Sequence, residues 1–141
     1  MQLGIINSAF SQAGVDTSAG LEHIARIGFD CVDVFTEADG ISPAEETIIT
    51  EACQKNNLPL VSLPVVAIGL IDFNDPVRAY HVNRVKSFID LAVRLKAKNI
   101  LLVLGEYIWQ KEVIPAEAQW QWAVDCCREL GDYAAERGIE I

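Results

Sequence analysis

Short apolar runs alternate along the whole chain with longer segments that have helical periodicity. The runs begin near residues 3, 31, 60, 100 and 139, and one helix pattern separates each run from the next. Strict alternation with crossovers of this length indicates parallel strands joined by right-handed β-α-β units. The pattern therefore predicts an α/β fold of about four β/α units plus the start of a fifth strand, with strands at residues 3–6, 31–35, 60–66, 100–104 and 139–141.

The run at residues 100–104 consists of five consecutive apolar residues. A strand with one exposed face would alternate between apolar and polar positions, so this run predicts a parallel strand that is buried on both faces. Glu106 and Tyr107 follow it closely. Because α/β proteins bind their ligands beyond the carboxyl ends of such strands, these two residues are the first candidates for a functional site.

Four helices are predicted between the strands. A polar loop at residues 7–16 leads to the first helix, which Thr17 or Ser18 can cap. The segment at residues 42–45 reads Ser-Pro-Ala-Glu, which has the spacing of a capping box and starts the second helix, ending near residue 55. The third helix begins at Asn74-Asp75-Pro76, and the fourth is predicted at residues 116–137.

Pro64 interrupts the third apolar run. Proline cannot donate a hydrogen bond to a sheet ladder, so we expect the strand to end or bend at this position. The apolar segment at residues 65–73 is then predicted to fold over a strand end rather than to belong to the sheet.

Composition limits the class of protein. A chain of 141 residues is long enough for one domain with a core, here residues 1–141, and 51% of it is hydrophobic. No apolar run approaches the roughly 20 residues of a membrane helix, and no amino-terminal secretory signal follows Met1. We therefore expect a cytoplasmic protein that does not bind membranes.

The charge limits the expected binding partners, and the cysteines indicate the redox state of the compartment. Eleven basic against twenty acidic residues give a net charge of −9, which disfavours nucleic acid as a partner. The four cysteines have no zinc spacing, so we expect buried thiols in a reducing compartment.

Three segments of the chain resemble one family. Residues 21–35 look like the helix-to-second-strand segment of the sugar phosphate isomerase/epimerase family, residues 97–105 resemble its fourth strand, and residues 136–141 resemble the approach to its fifth strand. That family has the xylose isomerase-like TIM barrel fold and includes relatives of endonuclease IV. The acidic charge of this chain disfavours the endonuclease branch.

The resemblance implies a metal-assisted proton transfer next to the carbonyl of a small sugar or sugar phosphate. Family members carry a divalent metal, often Mn²⁺ or Mg²⁺, bound by carboxylates and a histidine at the ends of strands five to eight, and two glutamates move the proton. A full barrel takes about 250 residues, so this chain is expected to be the amino-terminal half. It then lacks the metal ligands and is inactive alone, and Glu140, at the start of strand five, does not take a ligand role. Isomerase, epimerase and dehydratase remain open.

Four residues fall at predicted strand exits and are candidates for binding substrate: Asn7, Phe35, Glu106 and Tyr107. The carboxyl ends of parallel strands meet at one edge, which is the catalytic face in a barrel. There the two aromatic rings would pack on the carbon skeleton of a sugar, and Asn7 and Glu106 would bond its hydroxyls. Alternatively, Asn7 and Glu106 cap neighbouring loops and the aromatic residues belong to the core.

Other residues of chemical interest have structural interpretations. Asp33 lies within an apolar strand, where it either faces a polar barrel interior or pairs with a cation, the account we favour. His23 and His81 are read as solvated helix residues, because neither has a partner at metal-ligand spacing.

The three tryptophans are assigned by helix phase. Trp120 is predicted to point into the core from the fourth helix, with Ala123, Val124, Cys127 and Ala134 on the same side. Trp122 is predicted to face outward. Together with Trp109 it either marks an interface or shields a loop.

Two alternatives to the enzyme remain. A non-catalytic half-barrel would associate with a copy of itself and cover its edge strands, one and four. A flavodoxin-like sheet that binds phosphate is weaker, because no strand exit carries a Gly-rich phosphate loop.

Overall fold

The computed structural model describes residues 1–104 and 114–141. Within them a four-stranded parallel sheet has the sequential order β1-β2-β3-β4. This confirms the α/β class and the parallel β/α repeats. The strands are β1 (Gly4–Ile6), β2 (Cys31–Asp33), β3 (Leu60–Val66) and β4 (Asn99–Val103).

Five α-helices accompany the strands in the described residues: α1 (Ser8–Gln12), α2 (Thr17–Ile27), α3 (Pro43–Lys55), α4 (Asp75–Leu95) and α5 (Ala116–Ala135). The short helix α1 lies where the sequence predicted only a loop, so that prediction was wrong. The cap of α2 is Asp16, whose Oδ1 accepts the Ala19 N–H at 2.9 Å, rather than Thr17 or Ser18. The capping box is confirmed in its first half, since the Ser42 hydroxyl accepts the Glu45 N–H at 3.1 Å.

The core lies between the sheet and α2 to α5. Alternate strand residues supply it from one face of the sheet, and Val32, Leu63 and Val65 are fully buried. On the helices, Leu21, Ile24, Val85, Phe88 and Ile89 are fully buried against them. The buried stripe of α4 includes residues 82, 85, 89 and 92, which have the spacing of one helix face.

The other face of the sheet, here called the inner face, is open along β4 and at the end of β3, although Ser62 and Pro64 of β3 on the same face are buried. Leu101 is 52% exposed, Val103 39% and Val66 43%, whereas Ile100, adjacent to Leu101 on β4, is 2% exposed. The prediction that the fourth strand is buried on both faces was therefore wrong. In the described residues, only one side of β4 is covered by helices.

Strand β3 continues through Pro64. Pro64 pairs with Leu101 of β4, and the register holds through Val66. Alternate carbonyls of β3 point to opposite neighbours: the Ser62 carbonyl accepts Val34 N–H from the β2 side, and the Val61 carbonyl accepts Lys98 N–H from the β4 side. The missing N–H of Pro64 thus faces β2, where pairing has ended. The predicted strand at residues 60–66 is confirmed, and it does not end at Pro64.

The segment after β3 is a 3₁₀ helix, Ile68–Ile71, in which Gly69, Leu70 and Ile71 are buried. It packs between α4 and α5, and the Cys126 thiol lies 3.5 Å from the Leu70 carbonyl oxygen. This helix follows the end of β3, as the sequence predicted for most of the apolar segment, but Val65 and Val66 belong to the sheet, so for these two residues the prediction was wrong.

Helix α5 is rotated relative to the prediction. Trp120 is 72% exposed and Trp122 is half-buried beneath Arg78, whose guanidinium carbon lies 4.7 Å from the ring centroid. The inner stripe is Ala123, Cys126, Leu130 and Ala134. The inward assignment of Trp120 and the outward one of Trp122 were therefore wrong, and Trp109 lies outside the described residues.

The carboxyl-terminal segment and the cysteines bear on two further expectations from the sequence. Glu140 forms a single parallel bridge with Asn99, which is the start of pairing beyond β4 expected of residues 139–141. All four cysteines are free, but only Cys126 is buried and the other three are half-buried, so the expectation of buried thiols holds for one of them. Burial raises the pKa of the Cys53 thiol to about 11, so this thiol is protonated at neutral pH. No helix of the described residues is long and apolar enough to cross a bilayer.

Candidate functional site

The carboxyl ends of the strands meet along one edge of the sheet, here called the carboxyl edge. Asn7 directly follows β1, Phe35 lies two residues beyond β2, and Val66 ends β3. The sequential strand order places these ends side by side. The carboxyl edge of a parallel sheet is where substrate-binding loops gather, so it is the candidate site.

Asn7 joins the ends of β1 and β2. It is 7% exposed, its Oδ1 accepts the Phe35 N–H at 2.7 Å, and its own N–H donates to the Asp33 carbonyl at 3.0 Å. The side-chain oxygen is therefore engaged by the backbone, which agrees with the loop-capping interpretation. A contact between Asn7 and a sugar stays a prediction that would use its NH₂ group.

Phe35 presents its ring to solvent at this edge. The side chain is 46% exposed, while its neighbour Val34 is 1% exposed and belongs to the core. Strand alternation thus puts Phe35 on the inner face together with Asp33. An exposed phenyl ring whose backbone is anchored by a buried asparagine is a suitable wall for the apolar side of a ligand.

Asp33 lies half-buried on the inner face. None of the ion pairs among residues 1–104 and 114–141 involves it. The sequence analysis favoured an ion pair between Asp33 and a cation over a polar barrel interior. The described residues supply no cation for such a pair. Glu106 and Tyr107 lie outside the described residues, so their contact with substrate also stays a prediction.

A guanidinium from helix α4 also reaches the carboxyl edge. Arg84 of α4 donates from Nε and Nη2 to the two carboxylate oxygens of Glu37, at 3.1 and 2.6 Å, and from Nη1 to the Val66 carbonyl at 2.8 Å. Its side chain is only 16% exposed and lies over the buried ring of Phe88. These partners are far apart in sequence, and no local pattern links them.

His81 is not a solvated helix residue, so that interpretation was wrong. Its ring packs directly against Gly69 of the 3₁₀ helix, and its Nδ1 is buried without a partner among the described residues. Burial lowers the pKa of His81, the positive charge of Arg84 lowers it further, and Asp72 opposes both effects. His23, by contrast, is a half-exposed helix residue whose Nδ1 lies 2.7 Å from Arg26 Nη2.

The lowered pKa of His81 predicts that stability falls in mild acid. An imidazole in the unfolded chain titrates near pH 6.5, so below that pH the unfolded state binds more protons than the folded state. The free energy of unfolding should therefore fall as the pH drops through about 6.5 and level off below the folded pKa. Urea denaturation between pH 7.5 and 5.5 measures this slope, and His81→Gln should flatten it. An equal slope in the variant would contradict the prediction.

The described residues do not fit a divalent metal. Such ions require several convergent carboxylate or imidazole ligands, and no group of three His, Cys, Asp or Glu residues in ranges 1–104 and 114–141 could hold one. The metal that the resemblance implies therefore has no ligand set in this part of the chain.

Two surface pockets lined by described residues lie away from the carboxyl edge. One lies between the end of α3 and the start of β3, lined among others by Cys53 and Asn57, and another lies between α2 and α3. They lie beside helices on the outer side of the sheet. The open inner face forms only one wall, so a pocket there would need a second wall facing it.

The family described as xylose isomerase-like TIM barrel matches residues 21–141. Among solved structures, a D-psicose 3-epimerase from Clostridium cellulolyticum H10 with D-tagatose superposes with a TM-score of 0.80 at 19% identity, over 99% of this chain and 50% of that one. A D-psicose 3-epimerase in the presence of D-fructose gives 0.76 at 22%, over 99% and 50%. The apo 3-keto-D-glucoside 4-epimerase from E. coli gives 0.78 at 16%, over 99% and 54%.

The chain thus spans about half the length of these structures. This agrees with a half-barrel of four β/α units. No curated protein matches the sequence.

Proposed function

Because the chain belongs to the xylose isomerase-like TIM barrel family, we propose that it provides one wall of the substrate site of a sugar isomerase or epimerase. The observation that carries this proposal is the carboxyl edge itself, where Asn7 binds the backbone N–H of Phe35 and the Phe35 side chain is exposed on the inner face. In TIM barrels this edge forms the catalytic face. The sugar epimerases among the superposed structures support the choice of substrate class.

The chemistry of the edge suits a sugar. One side of a sugar ring or chain carries C–H groups that pack on aromatic rings, and its hydroxyls need hydrogen-bonding groups nearby. Phe35 and Val66 offer apolar surface on the inner face, and Asp33 and the Asn7 amide offer polar groups beside them. Glu106 and Tyr107 are proposed to complete this wall after β4.

The reaction proposed is proton transfer next to the sugar carbonyl, which requires a positioned base. The described residues do not form a metal site, so the metal-assisted step is assigned to none of them. We propose that the purified chain alone is inactive and that the whole site includes groups outside the described residues. Free thiols at all four cysteines support a reducing, cytoplasmic location.

Sugar binding by the chain can be tested by nuclear magnetic resonance. Titrating the ¹⁵N-labelled protein with D-fructose should shift the amides of Asn7, Phe35 and Val66, with millimolar affinity because only one wall is present. Amides at the opposite edge, such as those of Leu58 and Lys96, are the internal control and should stay in place. Shifts of equal size at both edges, or none at the carboxyl edge, would contradict the proposal.

A second candidate is a non-catalytic half-barrel that associates with a copy of itself. It is favoured by the apolar side chains of Leu101, Val103 and Val66 on the inner face, and by the position of β1 and β4 at the edges of the sheet. The net charge of −9 opposes association of two copies. The Leu101 variant described in the Discussion tests this candidate.

A further inference from the structure

Strands β2 and β3 separate at the carboxyl edge. Their last ladder bond runs from the Val34 N–H to the Ser62 carbonyl at 3.0 Å. The next position of β3 that faces β2 is Pro64, which has no N–H to give. Beyond it, the Val66 carbonyl points toward the same side and needs a donor from elsewhere.

Arg84 supplies that donor and joins the two strand ends. Its Nη1 donates to the Val66 carbonyl, while its Nε and Nη2 hold the Glu37 carboxylate, two residues beyond Phe35. A planar guanidinium can make these bonds together because its five N–H groups have fixed directions. The ring of the buried Phe88 lies 5.1 Å from the guanidinium carbon and limits its movement.

We infer that Arg84 is a positioning residue for the sugar wall, because it fixes the spacing between Phe35 and Val66 on the inner face. This inference rests on the proposed function. Phe35 is held on one side by the Asn7 side chain and, through Glu37, on the other side by Arg84. The distance between the two apolar side chains determines which face of a sugar fits between them, so Arg84 sets selectivity without touching the ligand.

Arg94 offers a matched control on the same helix. Its Nε and Nη2 bind the Glu46 carboxylate of α3 at 2.9–3.1 Å, which is the same type of pairing near the other end of α4. Arg84→Met and Arg94→Met therefore remove similar ion pairs, but only the first lies at the carboxyl edge. A general loss of stability would affect both variants.

The first measurement compares amide resonances without ligand. Arg84→Met should shift the resonances of Phe35 and Val66, and Arg94→Met should leave them unchanged. The second measurement titrates each variant with D-fructose and with D-tagatose. Arg84→Met should weaken binding about fivefold, within the range of residues that act at a distance, and should change the ratio of the two affinities. Arg94→Met should keep both values.

Two results would overturn the inference. The first is that Arg84→Met leaves the resonances of Phe35 and Val66 unchanged. The second is that these resonances shift, but the affinities for the two sugars and the ratio between them equal those of Arg94→Met. A wild-type chain that binds neither sugar would instead overturn the proposed function and the claim that Arg84 sets selectivity. The ligand-free resonances of Phe35 and Val66 would still report whether Arg84 holds the strand ends. If Arg84→Met does not fold, Arg84→Lys and Glu37→Gln replace it, since each keeps part of the contact and should give a smaller effect in the same direction.

Discussion

Replacing Gly69 by alanine is expected to destabilise the protein by about 2–3 kcal/mol, the cost of overpacking a filled interior. A Cβ atom at Gly69 would lie 2.0 Å from His81 Cδ2 and 2.9 Å from His81 Cγ, so the whole ring would have to move. The ring has little room to do so, because Gly69 is buried in the 3₁₀ helix and Nδ1 of His81 is also buried. Urea denaturation monitored by circular dichroism measures the loss.

Gly131 is the matched control for this substitution. It lies inside helix α5, and a Cβ there would meet nothing within 4 Å. Gly131→Ala should therefore stabilise the protein by about 0.5–1 kcal/mol through helix propensity alone. Adding His81→Ala to Gly69→Ala should recover part of the loss, because it removes the clashing ring. A Gly69→Ala protein with wild-type stability would contradict the expected clash.

Ile100→Ala is expected to cost about 3 kcal/mol, whereas Leu101→Ala should cost less than about 1 kcal/mol. The two residues are adjacent on β4, but Ile100 is 2% exposed in the core and Leu101 is 52% exposed on the inner face. The pair thus compares the two faces of one strand with a nearly identical loss of side-chain volume. Similar losses for both variants would show that the inner face is covered in solution.

A different substitution at Leu101 tests self-association. If a second copy covers the inner face, Leu101→Ser should shift sedimentation toward the monomer at high micromolar concentration, because it places a hydroxyl in an apolar contact. Ile100→Ala should leave the oligomeric state of its folded fraction unchanged. A wild-type chain that is already monomeric at this concentration would exclude the self-associating half-barrel.

Much of the fold could be predicted because its signals are local. The strand positions follow from apolar runs of a few residues, and the start of α3 follows from the capping box at Ser42, whose hydroxyl does accept the Glu45 N–H. The sequential sheet order agrees with the alternation of strands and helices. These signals act within one element or between neighbouring elements.

The errors arise where a residue's environment is set by distant parts of the chain. The apolar run of β4 predicted two buried faces, but a sequence run does not say what covers each face, and Leu101 is exposed. Pro64 is tolerated because its missing N–H faces the side where β2 has already left the ladder. On α5, the sequence analysis assigned the large Trp120 to the core, which shifted the predicted inner stripe. The observed stripe is centred on Cys126 and Leu130.

The candidate site was predictable in part, where its signals are local. Asn7 and Phe35 follow neighbouring strands, so their places at one edge follow from the fold. Their mutual contact, through the Asn7 side chain and the Phe35 N–H, needed the structure. The bonds of Arg84 to Glu37 and Val66 link three elements, and residue type alone could not separate this arginine from the others on α4.

The sequential order of the sheet also has a consequence for how the protein folds during synthesis. Strands begin at residues 4, 31, 60 and 99, and each of the last three pairs with the strand made just before it. At about 5–20 residues per second, a new β/α unit leaves the ribosome every few seconds. The strand of each new unit can pair with the strand before it without waiting for a distant partner. The core between the sheet and the helices can therefore form while translation continues. The inner face then stays exposed throughout, and it is the surface on which a chaperone would act longest.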